Sequence, residues 1–220
     1  HNNFGIALHH SGRTEDAISV FQKALELDPR FVEASCNLGA VFADLDRFEE
    51  AIECFERALE HSPDNSAVLA NLGNALNGVN RIQEAISTLE RAIESDPSNA
   101  FAYAKLATLN ERLNHLDKAR EQIAKAKALA PNNPEIQVMN GIIAGRDKNY
   151  ELGIREIEAG IPSLYSPNIL CRAHFEAGHL HDRLNDTASA FKHYMLGNSL
   201  IEEKTVFLGV DRIDYLDEIK

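Results

Sequence analysis

The stretch Asn71-Leu72-Gly73-Asn74-Ala75-Leu76 decides the fold of this 220-residue chain. Asn-Leu-Gly also stands at residues 37–39, and Asn3-Phe4-Gly5 occupies the matching place 34 residues earlier. Gly and Asn are both poor residues for a helix interior, and Gly costs about 1 kcal/mol relative to Ala. Their return at a fixed interval indicates an internal repeat in which these residues have defined tasks.

The same interval governs proline, glycine and alanine. Prolines recur every 34 residues, at Pro29, Pro63, Pro97 and Pro131. The residues 24 positions before them are small: Gly5, Gly39, Gly73 and Ala107. Alanine stands 12 positions before each proline, at Ala17, Ala51, Ala85 and Ala119, and again 5 positions before, at Ala24, Ala58, Ala92 and Ala126. These patterns in register predict four consecutive copies of one structural unit.

Each unit is predicted to contain two amphipathic helices. Large apolar residues follow the helical spacing, as in Leu72 and Leu76 and then Ile82, Ile86, Leu89 and Ile93. Polar turns are expected at 44–47 and 77–80, and each proline marks the end of a second helix. Two antiparallel helices approach closely only where side chains are small. We therefore expect Gly73 to contact the partner helix at Ala85.

The chain resembles the tetratricopeptide-repeat family. The family's small residues, its large residue and its closing proline are matched by Gly39, Ala51, Phe55, Ala58 and Pro63, and the next two units match in the same way. The resemblance implies an all-α, right-handed solenoid of antiparallel helix pairs, with about six units and a C-terminal capping helix. The first unit lacks the start of its first helix, so a fragment or an N-terminally trimmed chain is expected.

Three segments are predicted. Residues 1–161 form the repeat array of five units, the first truncated. In the fifth unit Gly153 and Gly160 replace the expected alanines, which predicts a looser second helix. Residues 162–203 form a divergent sixth pair after a Pro-containing insertion, where Pro162 and Pro167 replace the usual tight turn. Gly178 follows Gly141 by 37 residues instead of 34, which predicts three inserted residues. Residues 204–220 form a capping or linker helix, which an open solenoid end needs.

A second, shorter resemblance concerns the C-terminal part. Residues 190–198 and 212–216 look like the last repeat and connecting helix of bacterial tetratricopeptide proteins that carry a sulfotransferase domain. No phosphate-cradling loop follows before Lys220. This resemblance implies a substrate-recruiting arm of a larger polypeptide.

The resemblance to tetratricopeptide repeats also implies a concave groove lined by the first helices. Asn3, Asn37 and Asn71 share one position and form an amide ladder like that of the O-GlcNAc transferase repeat region. An Asn amide both donates and accepts, so it can pair with a peptide backbone of any sequence. The alternative is that these amides are solvated or stabilise a neighbouring turn. The predicted groove residues are Asn3, Asn37, Asn71, Asn74, Asn77, Lys105, Thr108, Arg112, Met139 and Arg146.

Charge and composition exclude several classes of partner. The net charge of −12 argues against nucleic acid and anionic membranes. Ala70 and Met139 stand where a clamp for a C-terminal carboxylate would want Lys and Arg, so an acidic chaperone tail is a poor candidate. No apolar run is long enough to insert in a membrane, and no signal peptide is visible, so a cytoplasmic location is expected. Cys36, Cys54 and Cys171 are expected to be reduced.

No catalytic, cofactor or metal site is predicted. No nucleophile, base or paired carboxylates can be placed on one helix face. His174, His179 and His181 invite a metal site, yet 174 and 181 lie two turns apart, and 179 and 181 point to different faces. The prediction is a non-catalytic scaffold that binds a protein or peptide. Its alternatives are the recruiting arm of a sulfotransferase or glycosyltransferase polypeptide, and a self-assembly module.

Overall fold

The computed structural model describes residues 2–164 and 166–207, and within them every regular element is helical, as the sequence predicts. Two compact units can be distinguished, His1–His115 and Leu116–Lys220. The first unit contains α1 (Asn2–His10), α2 (Thr14–Leu27), α3 (Val32–Asp44), α4 (Phe48–His61), α5 (Ser66–Gly78), α6 (Ile82–Ser95) and α7 (Ala100–Arg112). The second contains α8 (Leu116–Leu129), α9 (Pro134–Arg146), α10 (Tyr150–Gly160), a 3₁₀ turn (Ile161–Ser163), α11 (Pro167–Arg183) and α12 (Thr187–Phe207).

Within a pair, the two helices are joined by a tight turn that repeats with the sequence. The turn residue has a positive φ, and it recurs every 34 residues at Gly12, Asp46, Asn80, Asn114 and Lys148, and after 37 residues at Asn185. The N–H of the next residue donates back to the first helix, as from Arg81 to the Leu76 carbonyl at 2.9 Å. This is the bond that closes a helix ending in a left-handed residue. The interval of 37 matches the predicted three-residue insertion.

The turns are shorter than the sequence predicted. Asp44, Asn77 and Gly78 belong to α3 and α5, so that only Val79, Asn80 and Arg81 separate α5 from α6. The positive φ of Asn80 reverses the chain within this short connection. Asn77 therefore keeps a helical position from which its side chain can reach the neighbouring first helix.

Small residues of the first helices make room for one large side chain of the second. A Cβ at Gly39 would lie 2.7 Å from the Phe55 ring, and a Cβ at Gly73 would lie 2.6 Å from Leu89 Cγ. The missing side chain at Gly73 therefore makes room mainly for Leu89, because the Ala85 carbonyl oxygen would lie farther from that Cβ, at 3.3 Å. The expected contact with Ala85 is secondary.

In the second unit α9 and α10 approach closely, so the predicted loosening of the fifth pair is wrong. A Cβ at Gly141 would lie 2.6 Å from the Gly153 carbonyl oxygen, and a Cβ at Gly153 would lie 2.6 Å from Leu180 Cδ1. Glycines on both helices bring the two backbones together, and a leucine of α11 fills the remaining space.

The end of the described chain belongs to α12. This helix continues without a break through residues 204–207. The rest of the predicted capping or linker helix, residues 208–220, lies outside the described residues.

Candidate functional site

The candidate site is the face formed by the first helices of the first unit. α1 contacts α3, α3 contacts α5, and α5 contacts α7. Eight of the ten predicted groove residues, from Asn3 to Arg112, lie on these four helices. We call this surface the first-helix face.

Polar bonds join neighbouring helices across the first-helix face at a spacing of 35 residues. Asn37 Nδ2 donates to Asn2 Oδ1 at 2.9 Å, and Asn71 Nδ2 lies 3.8 Å from Cys36 Sγ. At the other end of the helices His9 pairs with Asp44 at 2.9 Å, and Arg112 donates to Asn77 Oδ1. Each residue of the later helix therefore contacts the residue one position before its own repeat equivalent, as Asn37 contacts Asn2 and not Asn3.

The amides of the predicted ladder differ in their burial. Asn37, Asn71, Asn74 and Asn77 are half-buried on the face, whereas Asn3 is exposed. Asn2 provides the partner for Asn37 in α1. Asn74 forms no side-chain hydrogen bond to another described residue, so its amide keeps its full capacity for a ligand.

The remaining candidates on α7 are positioned by contacts within α7 or, for Arg112, by Asn77 of α5. The Lys105 ammonium lies 4.7 Å above the Phe101 ring, a cation–π contact. The Thr108 hydroxyl donates to the Ala104 carbonyl at 3.0 Å. Arg112 is exposed at the end of α7. Lys105 and Arg112 are the two cationic side chains among these candidates.

The two candidates in the second unit have other surroundings. Met139 is only 5% exposed in the core of that unit, so it presents no surface to a ligand. Arg146 is half-buried and forms two hydrogen bonds to the Glu176 carboxylate, at 2.9 and 2.6 Å. This bidentate pair joins α9 to α11.

The three cysteines form no disulfide. Burial raises the pKa of Cys54 to about 11. Burial also raises the pKa of Cys36, against the lowering effect of its hydrogen bond from Asn71. Thiols of this kind are poor nucleophiles, because the thiolate is the reactive form.

The structure assembles a histidine cluster in the second unit that the spacing along one helix did not predict. His174 and His181 of α11 meet His193 of α12, while His179 is exposed. Burial lowers the pKa of His174, and the neighbouring His193 lowers it further. Because the cluster draws on three helices, spacing within one helix could not reveal it. The third helix is α10, from which Glu158 contributes a carboxylate oxygen that lies 3.2 Å from His193 Nε2.

None of the described helices combines the length and the hydropathy needed to cross a bilayer.

Comparison with known families identifies the repeat. Family models described as tetratricopeptide repeat match residues 31–98 and 76–139, and one described as TPR repeat matches residues 5–46. Together these matches extend from the first pair into α9. No curated protein matches the chain.

Solved structures share the fold at low sequence identity. PilF of Pseudomonas aeruginosa is 22% identical, with a TM-score of 0.70 over 90% of this chain and 89% of its own. TTC0263, a thermophilic TPR protein of Thermus thermophilus, is 19% identical, with a TM-score of 0.68 over 79% and 95%. YrrB, a TPR protein with an unusual peptide-binding site, is 24% identical, with a TM-score of 0.52 over 78% and 88%.

Proposed function

Because the chain carries tetratricopeptide repeats, we propose that it is a protein-interaction scaffold whose first-helix face binds an extended segment of another protein. The observation that carries this proposal is the group of half-buried amides on two neighbouring helices of one face, Asn37 on α3 and Asn71 and Asn74 on α5. Each amide can donate to a peptide carbonyl and accept from a peptide N–H. The group would therefore recognise backbone, whatever the bound sequence.

Small side chains beside the amides leave space for a peptide. Ala40 and Ala43 of α3 are half-buried, and Ala67 of α5 is exposed. A peptide backbone can approach a helix most closely where only methyl groups intervene. The description of YrrB as a protein with a peptide-binding site supports the same class of ligand.

The charge of the α7 end adds a preference. Lys105 and Arg112 lie at this end of the face, in a chain whose net charge is −12. A bound segment with an acidic residue near α7 would complement these two cations, and a basic segment would be opposed there. Such charges affect the choice of partner and the association rate more than the affinity.

Two alternatives use the same chain differently. In a substrate-recruiting arm, the first-helix face would bind the substrate of a transferase domain on the same polypeptide. In a self-assembly module, the captured partner would be a second copy of the chain. Light scattering over a wide concentration range tests self-assembly, because a chain that stays strictly monomeric would exclude it.

The experiment is capture followed by affinity measurement. The chain serves as bait for proteins of its source cell, and overlapping peptides from the captured proteins are titrated by fluorescence anisotropy. Asn71→Ala combined with Asn74→Ala should weaken binding at least tenfold, because each lost hydrogen bond contributes about 1 kcal/mol. Gln83→Ala on the exposed surface of α6 is the matched control and should bind as the unmodified chain does. Equal affinity of all three proteins would refute the proposal.

A further inference from the structure

We propose that Glu158, His181 and His193 bind a zinc ion that joins α10, α11 and α12. One ligand comes from each of the three helices, and their ligand atoms all lie within 4.8 Å of one another. The site lies within the second unit and is independent of the first-helix face. It departs from the sequence prediction of no metal site, which considered only ligands spaced along a single helix.

The distances between the ligand atoms fit a small cation. Glu158 Oε1 lies 3.1 Å from His181 Nε2 and 3.2 Å from His193 Nε2. Tetrahedral zinc with bonds of about 2.0 to 2.2 Å places its ligand atoms about 3.3 to 3.5 Å apart. The two distances from the carboxylate to the rings therefore need to change by only a few tenths of an ångström. The two ring nitrogens lie within 4.8 Å of each other and must approach to about 3.4 Å.

Both ligating rings are held by a partner on their other nitrogen. Asp186 Oδ2 lies 3.1 Å from His181 Nδ1, and His174 Nδ1 lies 3.0 Å from His193 Nδ1. Histidines that bind a metal usually donate their second N–H to a carboxylate or another acceptor, which fixes the ring and the tautomer. Here both ligands have such an acceptor, because a neutral His174 can accept at Nδ1.

The position of His181 between two carboxylates favours a cation. A neutral imidazole has one N–H, so it can donate to Glu158 or to Asp186 but not to both. The remaining ring nitrogen would then present its lone pair to a carboxylate. A second proton on the ring would remove this conflict, and so would zinc at Nε2, since Nδ1–H would then donate to Asp186 while Glu158 binds the metal directly.

Burial and access also suit a metal. The side chains of His181 and His193 are 12% and 11% exposed, whereas that of Glu158 is 46% exposed. A surface depression lined by Glu158, His181 and Asp186 reaches the cluster from solvent. An ion can enter by this path, and a water molecule can occupy the fourth coordination position.

The metal would connect the sixth helix pair to the fifth. Glu158 belongs to the second helix of the fifth pair, and the two histidines belong to the two helices of the sixth. Zinc binding would then stabilise the second unit at the point where the repeat diverges, since a ligand that binds only the folded state raises its stability.

Zinc titration of the purified full chain tests the site. We expect one zinc ion per chain by isothermal calorimetry, a tetrahedral absorption spectrum with Co²⁺, and a higher melting temperature with zinc than with EDTA. His181→Asn and His193→Asn should abolish all three effects. Asp186→Asn should weaken zinc binding about 10- to 100-fold, because it removes the negative charge beside His181, while the amide oxygen can still accept from the Ser189 N–H.

Two controls keep the experiment decisive. His179→Asn removes an exposed histidine from the same helix and should leave zinc affinity unchanged. Circular dichroism in EDTA should show native helix content for every variant, so that lost binding is not lost folding. Absence of stoichiometric binding, or equal affinity in His181→Asn and the unmodified chain, would overturn the proposal.

Discussion

The pair α3–α4 and the pair α9–α10 occupy equivalent places in the repeat but pack by different means. In the first, Gly39 receives the ring of Phe55, and the helices meet through one large side chain. In the second, Gly141 faces the Gly153 carbonyl oxygen as well as Ile157, so that backbone meets backbone. The repeat therefore fixes where space is needed, whereas the residues around it decide what fills that space.

The difference has a consequence for mutational tolerance. A side chain such as the Phe55 ring can shift when a neighbour grows, but a carbonyl oxygen of a packed helix cannot shift without moving the helix. The pair α9–α10 should therefore tolerate added volume less well than α3–α4, and α3–α4 should depend more on its large residue.

The largest expected effect is the removal of that large residue. Phe55 is 1% exposed, so Phe55→Ala deletes a buried ring and leaves a cavity beside Gly39. We expect a loss of about 3 to 5 kcal/mol in the free energy of unfolding, measured by urea denaturation. A loss below about 1 kcal/mol would show that α3 and α4 do not depend on this contact.

Glycine substitutions should separate the two pairs. Gly141→Ala should lower the free energy of unfolding by about 1 to 3 kcal/mol, because its new Cβ meets the backbone of α10. The loss in the free energy of unfolding caused by Gly39→Ala should be smaller when Phe55 is also replaced by Leu, since the smaller side chain frees space. For Gly141→Ala, the additional substitution Ile157→Val should reduce the loss by a smaller amount. A double-mutant cycle measures both couplings. Equal couplings in the two pairs would contradict the proposed difference.

The stability lost when a capping asparagine is replaced should increase with the number of hydrogen bonds that its side chain forms. Asn65 accepts one hydrogen bond, from the Val68 N–H, so Asn65→Ala should cost about 1 kcal/mol. Asn99 caps α7 at the Ala102 N–H and also donates to the Ser66 hydroxyl at 2.8 Å and to its carbonyl. Asn99→Ala should therefore cost more than Asn65→Ala. Thermal melts compare the two, and a reversed order would count against this account of the caps.

The smallest effect is expected at the surface of α7. Arg112 is exposed, and its bond to Asn77 lies at the end of the first-helix face. Arg112→Ala should change the free energy of unfolding by no more than about 0.5 kcal/mol. The same variant should alter binding of an acidic peptide more than that of a neutral one, and identical affinities for both would remove Arg112 from the site.

The sequence predicted the helical repeat well because its signals are local and recur. Proline and small residues at intervals of 34 located both helices of each pair, and the interval of 37 that ends at Gly178 predicted the insertion before the sixth pair. The turn residues Asp46, Asn80 and Asn114 follow the same period and are visible in the sequence, although their left-handed conformation became clear only in the structure.

The site could be predicted only in part, because side-chain contacts depend on how the repeats stack. Stacking brings Asn37 to Asn2 and buries Met139, and neither result follows from the position within a repeat. The histidine cluster was missed for a related reason. His181 and Glu158 lie 23 residues apart in the sequence and come together only when α10 packs on α11.

The central claim, that a peptide binds across the first-helix face, is tested most directly by NMR of the side-chain amide groups. A captured peptide is titrated into the ¹⁵N-labelled chain while the NH₂ signals of asparagine and glutamine are followed. Binding on the first-helix face predicts that the signals of Asn71 and Asn74 shift with the peptide concentration, whereas the Gln83 signal on α6 stays unchanged. A shifted Gln83 signal with unchanged Asn71 and Asn74 signals would contradict the claim.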